Sequence, residues 1–235
     1  MSSRPPLEAR RYAVLALALT LIAALAALAA CSPDAGKPVA ALPPPPAPTK
    51  YVALTFDDGP DPAFTPKILD ILDEYGAKAT FFAVGKEVER APELTRRVHD
   101  RGHDVQNHTW SHPDLRKLSW ASFQQQVEAT DGLILEQTDT TPRCLRPPYG
   151  GTNSVVKKRA SALGKKLVLW TLDSRDWTRP GQAAIVQHVL TAVQDGSVIL
   201  FHDGGGDRSQ TVAALPAILK ALKAKGYGFR LACRP

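Results

Sequence analysis

The sequence predicts an α/β fold built on a largely parallel sheet, and three observations carry that prediction. Short apolar runs alternate with helix-length amphipathic segments from residue 51 to residue 232. Gly76, Gly102, Gly164 and Gly226 each follow a helical pattern, where C-caps belong. The polar clusters Asp57-Asp58, Asn107-His108, Arg146, Asp173 with Asp176, and His202-Asp203 fall at the C-terminal ends of successive strands. The strands can close into a barrel or form an open doubly wound sheet. The third observation favours the barrel, because the strand C-termini of a βα barrel converge on one face. An open sheet gathers its ligands at a single switch point instead.

The elements follow in order. Strands are expected at 51–56, 79–83, 103–107, 143–146, 167–171, 197–201 and 227–232. Helices are expected near 64–75, 92–101, 119–137, 153–163, 181–194 and 209–225. Pro66 and Pro92 suit the first turns of their helices, where no N–H is needed.

The folded domain is assigned to 51–235, and two segments precede it. Residues 1–30 read as a signal peptide, with Arg10-Arg11 before an apolar run over 12–30. The run closes Leu28-Ala29-Ala30-Cys31, which resembles the bacterial lipobox, so Cys31 is expected to carry lipid. Ordinary cleavage with secretion, and an uncleaved anchor of about nineteen residues, are the alternatives. Each puts the domain outside the cytoplasm. Residues 31–50 hold Cys31 and a Pro/Ala-rich stretch that buries no core and suits a stiff spacer. The predicted location is an extracytoplasmic, membrane-anchored lipoprotein.

The formal charge is +6, falling to +4 without residues 1–30. That mild excess suits an anionic cell wall. No basic run with interleaved aromatics points to nucleic acid, which is excluded as a partner; a monomer is expected. Cys144 and Cys233 are left after Cys31, in a compartment that permits disulfides. They are either a bridge or two buried thiols.

The chemistry starts from Asp57-Asp58 and, about fifty residues on, His108 and His112. Two imidazoles and one carboxylate form a ligand set for a divalent metal with open positions. The spacing of four puts both histidines on one side of a helical turn, with Asp58 as third ligand. The remaining carboxylate stands where a hydrolytic metal site needs a base. Each residue alone is weak evidence, since surface His pairs are usually solvated and Asp-Asp-Gly-Pro is usually a turn.

Taken together, five ordered motifs resemble the polysaccharide deacetylase family, the NodB-homology domain of carbohydrate esterase family 4. They are Thr55-Phe56-Asp57-Asp58-Gly59-Pro60, His108-Thr109-Trp110-Ser111-His112-Pro113, Arg146-Pro147-Pro148-Tyr149-Gly150, Asp173-Ser174-Arg175-Asp176-Trp177 and Leu200-Phe201-His202-Asp203. The resemblance implies a distorted (β/α)7 barrel of NodB type. It also implies metal-dependent N- or O-deacetylation of a sugar polymer, with N-acetyl groups expected first.

By that resemblance Asp58, His108 and His112 hold one divalent ion, zinc first, with cobalt or nickel as alternatives. Asp57 is the general base and His202 the general acid. Asp176 orients His202, and Arg146 pairs with Asp57. Tyr149 supplies a backbone N–H to the oxyanion, and Trp177 and Leu200 line the acetyl pocket. The expected glycan is peptidoglycan, a chitin oligomer or acetylxylan, with peptidoglycan favoured by location alone. The competing class is an inactive carbohydrate-binding member of the fold. Trp110, Tyr149 and Trp177 are read as sugar-stacking surfaces. His99, His103 and His188 are read as structural, and Gly204-Gly205-Gly206 as a flexible rim loop.

Overall fold

The computed structural model describes residues 47–233. The expected signal peptide, Cys31 and most of the proline-rich spacer lie outside the described residues. Among the described residues no helix is long and apolar enough to cross a membrane.

The elements run β1 (Lys50–Asp57), α1 (Thr65–Glu74), β2 (Ala79–Ala83), α2 (Gly85–Arg90), α3 (Pro92–Asp100), β3 (Asp104–Asn107), α4 (Trp120–Thr138), β4 (Cys144–Leu145), α5 (Ser154–Ala162), β5 (Lys166–Leu167), β6 (Leu172–Asp173), α6 (Gln182–Ala192), β7 (Val198–His202), α7 (Ser209–Ala224) and β8 (Tyr227–Phe229). Every strand pairing is parallel. The order is β5-β4-β3-β2-β1-β7-β6, with β8 on β1. The sheet curls into an incompletely closed, distorted barrel, as the sequence predicts.

β1 is the centre of this sheet, and its alternation sorts the whole domain. Val52, Leu54 and Phe56 face the helices and belong to the main core. Phe56 stacks between Phe81 and Phe201, at centroid distances of 5.0 and 5.6 Å. Thr55 and Asp57 face the opposite way. Parallel register sets Asp57 beside Phe82 on one side and His202 on the other, with Thr55 beside Leu200. Two strands of ordinary pattern thus bring the proposed base and acid to neighbouring strand ends.

All six predicted helices form. Ser119 and Asn153 cap α4 and α5 by accepting from Ser122 and Val156 N–H. The sequence misses α2, which is only six residues long and opens on Gly85.

The strands depart more. The predicted strand 167–171 is not one strand. Lys166–Leu167 pairs with β4, while Leu172–Asp173 pairs with β7. The chain between them crosses the barrel opening: Val168 N–H donates to Leu145 and Thr171 N–H to Val198. Crossing leaves the carbonyls of Val168 and Leu169 without strand partners, and Arg146 takes them. The predicted strand 227–232 stops at Phe229, and the segment after it is tied by the Cys144–Cys233 disulfide.

Candidate active site

Asp57 ends β1 and is almost fully buried. Its Oδ1 accepts from Arg146 Nη1 at 2.7 Å. The same nitrogen reaches Thr55 Oγ1 at 2.8 Å, while Nε and Nη2 reach the Val168 and Leu169 carbonyls at 3.1 and 3.2 Å. The guanidinium lies 4.0 Å from the Phe82 ring centroid. Arg146 is wholly enclosed, so every bond it makes is shielded from water. Burial pushes the Asp57 carboxyl above its ordinary 3.8, against the pull of Arg146. A carboxylate moved towards neutrality is a better proton acceptor at working pH.

Asp58 turns away from its neighbour because its φ is +75°. That left-handed backbone sends two adjacent carboxylates in different directions. Asp58 Oδ1 lies 3.5 Å from His108 Nε2 and 3.4 Å from His112 Nε2. All three donor atoms lie within 4.8 Å of one another.

The histidines do not converge through a helical turn. The segment after β3 is irregular, with Thr109 and His112 at φ of +71° and +58°. Asn107 Oδ1 accepts from Thr109 N–H at 2.7 Å, and Thr109 Oγ1 accepts from His112 N–H at 3.1 Å. These side-chain bonds replace helical ones and hold the loop closed. The spacing of four is right, but the physical reason differs.

The donor set fits a divalent ion. His108 Nδ1 lies 2.7 Å from the Arg146 carbonyl, so it carries the proton and leaves the Nε2 lone pair free. Burial depresses its pKa to about 3, which keeps the ring neutral. Two ligands about 2.0–2.1 Å from one ion at a tetrahedral angle lie roughly 3.3 Å apart, close to the 3.4 and 3.5 Å separations here.

His202 ends β7. Its Nδ1 is 2.7 Å from Asp176 Oδ1, and its backbone N–H donates to Asp176 Oδ2 at 2.8 Å. Thr211 Oγ1 donates to that same Oδ2 at 2.8 Å. Burial works to lower the His202 pKa, but Asp176, Asp57 and Asp58 outweigh it and the value is raised. Burial works to raise Asp176, but the bonds from His202 and Thr211 prevail and the value is lowered. The imidazole is therefore held with Nε2 as its working nitrogen.

A cavity of 440 Å³ joins these groups. Asp57, Asp58, His112, Tyr149, Trp177, Leu200 and His202 all line it. His108 sits beneath it, and Arg146 and Asp176 lie buried behind Asp57 and His202. Apart from Trp110, the site residues assigned from the sequence are thus brought to one place. Tyr149 is exposed, and its ring lies 4.6 Å from the His112 ring. Trp177 donates its indole N–H to Asp173 at 3.3 Å.

Trp110 departs from expectation. It packs over Gly85, where an added Cβ would come within 2.6 Å of its ring, and it does not line the cavity. Trp170 lines it instead. No motif marked Trp170, because it lies in the crossing segment that reads as strand.

Other residues missed from the sequence are Thr211, Arg208 and Asp203. Asp203 is buried beside His202 in the fifth motif, and its Oδ2 accepts from Thr65 at 2.6 Å. Burial raises its carboxyl to about 7. Its place next to His202 was the available signal. His103 and His188 are structural, as read: they bond the Ala79 N–H and the Asp173 carbonyl.

The chain is similar to known proteins in sequence and fold. Residues 45–168 match the polysaccharide deacetylase family. The chain is 45% identical over 183 residues to a peptidoglycan-N-acetylglucosamine deacetylase of Bacillus cereus, covering 77% of this chain and 85% of that one. It is 42% identical over 195 residues to a chitooligosaccharide deacetylase of Sinorhizobium fredii, covering 78% and 90%. The solved structure of the peptidoglycan deacetylase PdaC from Bacillus subtilis superposes with a TM-score of 0.72 at 38% identity, covering 77% of this chain and 87% of that one.

Proposed function

Because the chain belongs to the polysaccharide deacetylase family, we propose that it is a metal-dependent hydrolase removing N-acetyl groups from N-acetylglucosamine units of a cell-wall glycan. One observation carries this reading. Asp57, Asp58, His112 and His202 share the wall of a single cavity, with His108 directly beneath. Peptidoglycan is placed ahead of chitin oligomers and acetylxylan because the domain is proposed to work outside the cytoplasm.

The residues divide the reaction. Asp58, His108 and His112 would hold the ion. The chemistry such an ion supplies is polarisation of the acetyl carbonyl and acidification of the attacking water; zinc suits two imidazoles and a carboxylate, and cobalt or nickel accept the same donors. Asp57 takes the proton of that water on Oδ2, since Oδ1 is occupied by Arg146. Arg146 fixes the carboxylate and balances its charge. His202 donates from Nε2 to the departing amine, with Asp176 holding Nδ1. The Tyr149 backbone N–H is assigned to the oxyanion. Leu200 and Trp177 enclose the acetyl methyl, and Trp170 extends that wall.

Acetate release across peptidoglycan, chitin oligomers and acetylxylan, before and after chelation, tests this function. Release from a glucosamine polymer that chelation abolishes and zinc restores is expected. Glycan binding with no acetate release from any of the three refutes the enzyme and selects the inactive binding protein.

His202→Ala is expected to lower kcat by roughly 10² or more, with little change in substrate binding. The pH profile gives a second check. The acid works only when protonated, so the alkaline limb should fall as pH rises through the raised His202 value. Asp176→Asn removes the partner that raises it, so the limb should move to lower pH. An unmoved limb would show that another group sets it.

The proposed location is the outer face of a membrane, through lipid on Cys31. Cys31→Ala should transfer the protein from the membrane fraction to the soluble one, and unchanged membrane association counts against lipid there.

A further inference from the structure

The loop 204–206 follows the strand that carries His202 and lies directly on the Asp58 turn. A Cβ at Gly204 would stand 2.3 Å from the Asp58 carbonyl oxygen, and one at Gly205 would stand 2.5 Å from Asp58 Oδ2. Gly205 and Gly206 also carry φ of +71° and +138°, which side chains disfavour. Gly204 is buried against the Asp58 turn, while Gly205 and Gly206 are exposed at the rim. Gly205 therefore lies on the Oδ2 side of Asp58, while Oδ1 faces the two histidines.

Three glycines do not hold themselves in place, since glycine gives up the most backbone freedom on ordering. Arg208 supplies the grip. It is about nine-tenths buried, at 6% exposure. Its Nε donates to the Gly204 carbonyl at 2.6 Å and its Nη2 to the Gly205 carbonyl at 3.1 Å. It also lines the cavity beside Asp58. A planar guanidinium can hold two successive carbonyls at once, which a lysine ammonium cannot do with the same geometry.

We propose that Arg208 is a positioning residue for the metal ligand Asp58, acting through the glycine loop that it clamps against that carboxylate. The inference rests on the reading of Asp58 as a ligand. Partners that orient a ligand from behind typically change metal affinity by about tenfold to a hundredfold, and that is the effect expected here.

The test is the apparent zinc Kd of the full chain, by competition with a chromophoric chelator, for wild type, Arg208→Met, Arg208→Lys and Asp58→Asn. Arg208→Met should bind zinc about tenfold to a hundredfold more weakly, and excess zinc should restore its deacetylase rate. Arg208→Lys should fall between it and the wild type. A purely structural role predicts a lower melting temperature with no zinc rescue. A zinc Kd for Arg208→Met within about twofold of wild type, well below the effect of an orienting partner, overturns the proposal. Should Arg208→Met fail to fold, Arg208→Lys decides in the same way. If Asp58→Asn loses zinc and the Arg208 variants do not, this inference alone fails. If Asp58→Asn keeps zinc, the ligand assignment itself fails.

Discussion

Asp57→Asn is expected to keep one bound metal per chain and to lose kcat by roughly 10²- to 10⁴-fold. The amide keeps the shape of the side chain and an oxygen for Arg146, but it cannot take a proton. Metal content should persist because Asp58, not Asp57, presents an oxygen to both histidines. Asp57 Oδ2 is the more distant carboxylate, 3.7 Å from His108 Nε2. A stability cost accompanies the loss of rate. Arg146 is wholly buried, and Asp57 is the anion bonded to it. Removing one partner of a buried pair typically costs about 3–5 kcal/mol. The bonds to Thr55, Val168 and Leu169 remain and reduce that cost here. Thermal melts with metal analysis and single-turnover kinetics separate the two effects. Near wild-type turnover would remove Asp57 from the role of base.

His108→Ala is expected to abolish stoichiometric metal after dialysis, and activity with it. The loss should exceed the roughly tenfold to hundredfold change typical of a supporting partner, because a donor atom itself disappears. His108 is buried, so its removal also leaves a void and strips the Arg146 carbonyl of its 2.7 Å partner. That carbonyl belongs to the residue that holds Asp57, so the proposed ligand and the proposed base are linked through one residue. Asp58→Ala should lose metal without that second effect, since its side chain is not bonded to Arg146. Metal analysis of both variants checks this, and undiminished stoichiometry in either one refutes the ligand set.

The two experiments fall on residues that the sequence already names. Asp57, Asp58, His108, His112 and His202 are each weak signals alone, but they sit in five ordered motifs that resemble the polysaccharide deacetylase family. The helices were legible for a similar reason. Apolar periodicity, Pro66 and Pro92 at helix starts, and glycines at helix ends are local signals. Gly76, Gly102, Gly164 and Gly226 all carry positive φ, as a C-cap needs.

What failed was what depends on distant partners. The stretch 167–171 has the composition of a strand, yet it splits because its two ends find different neighbours, β4 and β7. From that split follow the full burial of Arg146 and the presence of Trp170 in the cavity wall. The contacts of the glycine loop with Arg208 and the Asp58 turn were likewise invisible in its composition.

The alternation of strand and helix was legible because it is written in local periodicity, and the candidate ligands, base and acid were legible as five ordered motifs that resemble the polysaccharide deacetylase family. The fold was needed to show how these residues meet: Asp58 Oδ1 faces both histidines, left-handed backbone at Thr109 and His112 gathers them, and Arg146 bonds Asp57 across 89 residues of chain. Those outcomes depend on sheet register and on a few positive φ angles, which are settled by contacts between segments far apart in sequence.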